Sequence, residues 1–180
     1  MNRRAVFLDR DGVINRAFLK NGIPTPPGRL EEFEILPGVS AAIKQLKQLG
    51  WFIFVVTNQP DIARGTQSMD IVDAMHKVIT LAMPIDQIWV CPHDDADQCK
   101  CRKPKPGALQ SLARSHDIDL SQSYMVGDRW RDIDAGKAAG CKTIFIDHGY
   151  PEKQPESPDL IAKCLPEAID MIFQTEGNLT

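Results

Sequence analysis

Asp9 and Asp11 stand two residues apart in the run Asp9-Arg10-Asp11-Gly12, directly after an apolar stretch. Carboxylates at that spacing share one side if an extended strand continues through them, and Gly12 permits a sharp exit. Such a pair can hold a hard cation. One of the two can also attack phosphorus in line while its neighbour protonates the leaving oxygen and later deprotonates water. Further along, Thr57 can donate a hydroxyl hydrogen bond to a phosphoryl oxygen. Lys103 can neutralise charge on a transferring phosphoryl group, and Arg102 offers a planar fork for another part of a substrate. Asp128 would add a third protein arm to an octahedral, oxygen-coordinated Mg²⁺, and Asp132 could hold Lys103 or a metal-bound water. Taken singly, each has an ordinary reading: acidic pairs and Gly-Asp are common in turns and caps, and Arg-Lys on solvated faces.

A second constellation lies just before Lys103. Cys91, His93, Cys99 and Cys101 fall within eleven residues. They supply three thiolates and one imidazole, a full tetrahedral set for zinc with no position left for substrate. A metal so enclosed is structural; it would brace the loop 91–101 so that the next two residues, Arg102 and Lys103, point into a site. A redox pair and free thiols are the competing readings. The total of five cysteines is odd, which argues against a disulfide framework in a reducing compartment. Cys141 and Cys164 are expected to be small core residues, and His76, His116 and His148 ordinary surface or core residues.

These groups need elements to bring them together, and the chain alternates short apolar runs with longer helix-like segments. The strands are expected at 5–9, 52–57, 87–91, 124–128 and 143–147, and the helices near 38–49, 68–82, 106–116, 131–139 and 158–173. Strands that are almost wholly apolar and alternate with helices predict an α/β fold, a mostly parallel sheet covered on both faces. Ligands of such sheets bind outside the carboxyl ends of the strands, where Asp9, Thr57, the cysteine loop with Lys103, and Asp128 all fall. Unrelated loops would not place acid, hydroxyl, lysine and acid at successive strand ends. Two Pro/Gly-rich stretches, 21–29 and 154–158, are expected as surface loops, the first a stiff candidate wall of the site.

The chain has 180 residues, 25 % of them charged, and a net charge of −3. That length suits one domain spanning 1–180, and the charge balance gives no nucleic-acid or membrane footprint. No apolar run approaches the roughly 20 residues needed to cross a bilayer, and the N-terminus turns charged too soon for a signal peptide. A cytoplasmic monomer acting on a small phosphorylated metabolite is the expectation.

The four motifs DRDGV (9–13), TNQ (57–59), RKPKPG (102–107) and GDRWRD (127–132) resemble, in order, those of the haloacid dehalogenase (HAD) superfamily of phosphohydrolases. The resemblance covers nearly the whole chain and implies a three-layer Rossmann-like fold. It makes Asp9 the nucleophile, Asp11 the acid/base and Thr57 and Lys103 phosphoryl stabilisers, with Asp9, Asp11 and Asp128 around Mg²⁺. Within the superfamily the chain is similar to the heptose bisphosphate phosphatases and nearly as much to the histidinol-phosphatases, groups with a zinc loop in this place and little or no cap domain. Asn58, Gln59, Arg64 and Arg102 are then substrate-binding candidates, the two arginines for a distal phosphate. Asp61, if it faced inward, would favour a cationic substrate instead. A catalytically silent, zinc-stabilised binding protein on the same fold is the reading from another class, and the intact acid-hydroxyl-lysine-acid set speaks against it. Phosphoryl transfer to a second sugar is a third.

Overall fold

The computed structural model of the chain describes residues 3–177. Its main sheet has six strands: β1 (Ala5–Leu8), β4 (Phe52–Asn58), β5 (Gln87–Cys91), β6 (Tyr124–Gly127), β7 (Lys142–Ile146) and β8 (Leu160–Ala162). They lie in the order β5-β4-β1-β6-β7-β8, and every neighbouring pair is parallel. The expected alternation is thus realised. β1 sits where the winding reverses, with β4 and β5 to one side and β6 to β8 to the other. In open α/β sheets that is the crevice where ligands bind.

The burial pattern of β1 explains the three layers. Its residues are all buried, and alternate ones face opposite sides because side chains on a strand alternate. Val6 and Leu8 join a core with Ile43 and Leu46 of α1 (Val39–Gln48), Ile79 of α3 (Met69–Ala82) and Ile169 and Ile172 of α6 (Leu165–Thr175). Ala5 and Phe7 join a second core with Leu109 and Leu112 of α4 (Gly107–His116) and Met125. α5 (Trp130–Ala139) packs on β6 and β7 beside α4. A short helix α2 (Pro60–Ala63) follows β4. Among the described residues no helix is long and apolar enough to cross a membrane.

Three expectations need correction. The stretch 21–29 is not simply a loop: β2 (Phe18–Lys20) and β3 (Ile23–Thr25) pair antiparallel as a separate two-stranded sheet. Asn21 and Gly22 have φ of +54° and +77°, the tight turn that matches strand twist and that Asn-Gly favours. The last helix begins at Leu165, not near 158, because Leu160–Ala162 extends the sheet as its edge strand. Cys141 is buried as expected, but Cys164 is exposed at the start of α6.

Candidate active site

β1 ends at Leu8, so Asp9 and Asp11 do not share a strand face. The chain instead wraps around the Arg10 carbonyl, which accepts hydrogen bonds from the N–H groups of Val13, Ile14 and Asn15 at 3.3, 2.8 and 3.1 Å. Gly12 makes the turn at φ +88°, and a side chain there would run into the Asp128 carboxylate. The two aspartates consequently have different surroundings.

Asp9 meets Lys103 and Asp132 in a buried cluster. The Lys103 ammonium, 1 % exposed, lies 2.6 Å from Asp9 Oδ1 and 2.7 Å from Asp132 Oδ1, and donates to the Val56 carbonyl at 2.6 Å. Burial works against its charge, but Asp132 and Asp9 outweigh it and hold the ammonium well above its usual range. Burial pushes the Asp9 carboxyl up to about 6, with Lys103 opposing and Asp132 and Asp11 adding to the rise. Asp132 Oδ2 also accepts the Arg129 N–H at 3.0 Å, so the lysine's second partner is fixed by the first turn of α5.

Asp128 closes the cluster at the end of β6. Both its carboxylate oxygens are buried, and among the described residues neither has a well-formed hydrogen bond, the Tyr150 hydroxyl being the donor beside the carboxylate. Burial, then Asp9 and Asp132, raise its carboxyl well above the ordinary range, and the nearby Tyr150 hydroxyl only eases that rise. One ligand oxygen each from Asp9, Asp128 and Asp132 lies within 4.8 Å of the others. Three carboxylates against one ammonium leave two negative charges in a buried site, which a divalent, oxygen-seeking cation would balance. The donor set fits Mg²⁺. The Asp11 side chain is not in this group; Asp132, expected only in support, is.

Asp11 is held elsewhere. Its carboxylate accepts from Arg10 Nε and Nη2 at 3.0 to 3.2 Å, from Asn15 Nδ2 at 2.9 Å and from Gln59 Nε2 at 2.8 Å. Gln59 also donates to Thr57 Oγ1 at 2.8 Å, so it ties the ends of β1 and β4 together. That bond uses a lone pair of the Thr57 hydroxyl and leaves its hydrogen to be donated. Asn58 clamps the Lys103 backbone reciprocally, donating to its carbonyl at 3.0 Å and accepting its N–H at 3.2 Å.

The cleft over these groups is lined by Asp9, Asp11, Asn58, Lys103 and Asp132, by Arg129 and Arg131, and by Pro24, Thr25 and Pro26. The expected stiff wall is therefore β3 and the prolines beside it. The arginines differ from expectation. Arg102 turns back under the cysteine loop, to Asp95 at 2.8 Å and the His93 carbonyl at 3.2 Å, because that loop offers both acceptors. Arg64, half exposed, pairs with Asp94 at 2.6 Å and Asp61 at 3.2 Å, so Asp61 is answered by a neighbour and neither lines the cleft. Sequence reasoning missed Arg129 and Arg131, whose signal was their place on either side of Trp130 just after Asp128. It also missed Arg10 and His76, and His148, whose Nε2 lies 2.8 Å from the Gly12 carbonyl oxygen.

Cys91, His93, Cys99 and Cys101 converge as their spacing predicts. Their sulfur atoms and His93 Nδ1 are 3.4 to 3.7 Å apart along the five edges within contact range. A tetrahedron with metal-sulfur arms of about 2.3 Å has edges of about 3.8 Å, whereas disulfide sulfurs lie at about 2.05 Å. The set fits a closed zinc site.

Comparison with known proteins agrees with this geometry. Residues 100–168 match the family profile described as HAD-hydrolase-like. The D-glycero-D-manno-heptose-1,7-bisphosphate 7-phosphatase of Thermosynechococcus vestitus is 35 % identical, with 96 % of each chain covered. The corresponding enzyme of Bordetella bronchiseptica is 37 % identical over 83 % of this chain and 84 % of the relative. The crystal structure of the B. bronchiseptica D,D-heptose 1,7-bisphosphate phosphatase, complexed with magnesium and phosphate, superposes with a TM-score of 0.78 at 30 % identity, covering 96 % of this chain and 99 % of that one. With motifs, sheet order and relatives in agreement, the chain belongs to the HAD superfamily of phosphatases.

Proposed function

We propose that the chain is a Mg²⁺-dependent D-glycero-D-manno-heptose 1,7-bisphosphate 7-phosphatase that works through an aspartyl-phosphate. The observation that carries the chemistry is Asp9, buried at the end of β1 and 2.6 Å from the Lys103 ammonium, beside the buried Asp128 carboxylate, whose oxygens have no well-formed hydrogen bond among the described residues. The names of relatives 35 and 37 % identical support the substrate.

In this reading a carboxylate oxygen of Asp9 bonds to phosphorus as the ester P–O bond breaks, and Asp11 gives a proton to the departing alkoxide. Water then attacks the aspartyl-phosphate; Asp11 takes its proton, and phosphate leaves with Asp9 restored. Lys103 offsets the charge on the transferring oxygens, and Thr57 donates its free hydroxyl hydrogen to one of them. Asp9, Asp128 and Asp132 would hold Mg²⁺ between them, directly or through water, and the ion would supply charge neutralisation for the phosphoryl oxygens. Arg129 and Arg131, held at the cleft by Glu152 at 2.6 Å and Asp95 at 3.0 Å, are the arginines placed for a second phosphate. Zinc on the Cys3His set would stiffen the loop that delivers Lys103.

Phosphate release with Mg²⁺ tests the proposal, comparing heptose 1,7-bisphosphate, histidinol phosphate and a panel of sugar monophosphates. A clear preference for the heptose bisphosphate is expected. Preference for histidinol phosphate would overturn the substrate, and no turnover of any ester would overturn the enzyme reading.

A further inference from the structure

Between the two catalytic aspartates sits a guanidinium with no exposure at all. Arg10 is 0 % exposed, and its three nitrogens are divided between two partners. Nε and Nη2 bind the Asp11 carboxylate, and Nη1 lies 3.1 Å from Nε2 of His76, on α3. The Phe33 ring, 5.9 Å from Arg10 Cζ, packs near the fork. A guanidinium has only donors, so the short contact requires His76 Nε2 to present its lone pair and the imidazole to carry its proton on Nδ1. Burial, and then the charge of Arg10, hold His76 down at about 4, so the imidazole is the neutral acceptor this bond needs.

A planar fork bound on one edge only can pivot about that edge. Here His76 takes the third nitrogen, and the plane is fixed from two sides. The relay from His76 through Arg10 thereby joins Asn15 and Gln59 in setting where the Asp11 carboxyl stands, although His76 itself does not line the cleft.

We propose that His76 is a positioning residue of the hydrolysis: through Arg10 it fixes the Asp11 carboxyl against the leaving oxygen, and so serves proton transfer rather than attack by Asp9. This rests on the phosphatase reading above. It predicts sensitivity to the leaving group. An alkoxide needs a proton as the P–O bond breaks, whereas p-nitrophenolate departs without one.

The test compares kcat/KM, which reports the first phosphoryl transfer and not the shared hydrolysis of the aspartyl-phosphate, on heptose 1,7-bisphosphate and on p-nitrophenyl phosphate for the wild type, His76→Phe and His76→Gln. Since a general acid contributes about 10²- to 10⁴-fold, displacing it in part should lower kcat/KM for the alkyl ester about tenfold in the phenylalanine variant and for the aryl ester less than about twofold. Glutamine, which keeps an acceptor within reach of Arg10, should hold the ratio near that of the wild type. Equal falls on both esters in the two variants, or an unchanged ratio in His76→Phe, would overturn the role of His76. A wild type that cleaves neither ester would instead overturn the phosphatase reading, and that is seen before any variant is compared.

Discussion

Lowering the pH from 7.5 to 5 should cost the native state about 2 kcal/mol through His76 alone. Burial and the neighbouring Arg10 charge hold its imidazole at about 4 in the folded chain, against about 6.5 when unfolded. A base depressed by folding contributes its full stability above the unfolded value. As the pH falls below about 6.5, the unfolded chain takes up a proton that the native chain refuses, and stability drops. Integrated between those two values, the loss is about 2 kcal/mol at pH 5 and levels near 3 kcal/mol below pH 4. The assay is urea unfolding of the wild type and His76→Gln at both pH values and one zinc concentration. Glutamine does not titrate, so the double difference cancels losses common to both proteins, including proton competition at the cysteine cluster. The wild type should lose about 2 kcal/mol more than the variant. Parallel losses would refute the reasoning, since they would mean that the imidazole is free to charge within the fold.

Three further perturbations address the site. Asp9→Asn should lower phosphate release by at least about a thousandfold while zinc content and the circular dichroism spectrum stay unchanged; wild-type turnover would sink the covalent role of Asp9. Cys101→Ser should reduce bound zinc in metal analysis and activity together, and full activity in the zinc-free variant would show that Lys103 does not depend on the loop. Gly127→Ala would put a Cβ 2.1 Å from Asp132 Cβ, so thermal unfolding should show a loss of about 1 to 3 kcal/mol alongside reduced turnover. An unchanged melting temperature would contradict the close approach of β6 and α5.

The parts of the fold that were legible from sequence are those set by local pattern. Phe52–Asn58 and Gln87–Cys91 lie where their apolar runs predict, and Asp9, Thr57, Lys103 and Asp128 fall at or beyond the carboxyl ends of strands as expected. The Cys3His set was legible for the same reason, its spacing carrying the chemistry. Asn21-Gly22 was a readable turn signal hidden by the prolines around it. The rest depends on contacts far apart in the chain. Nothing local says that Arg102 meets Asp95 rather than substrate, or that Arg10 reaches His76 across 66 residues. A charged residue between two aspartates reads as solvated, and only packing reveals that it is wholly enclosed.

The hairpin of β2 and β3 has a consequence for how such an enzyme can change. It forms a sheet of its own, and no strand of the six-stranded sheet pairs with it. Pro24, Thr25 and Pro26 nevertheless face the same cleft as Asp9 and Lys103. Substitutions in the hairpin can therefore reshape what enters without altering the register that aligns the reactive groups. The hairpin's share of the cleft wall is thus separable from the elements that hold the reactive groups, and its residues can change while those elements stay as they are.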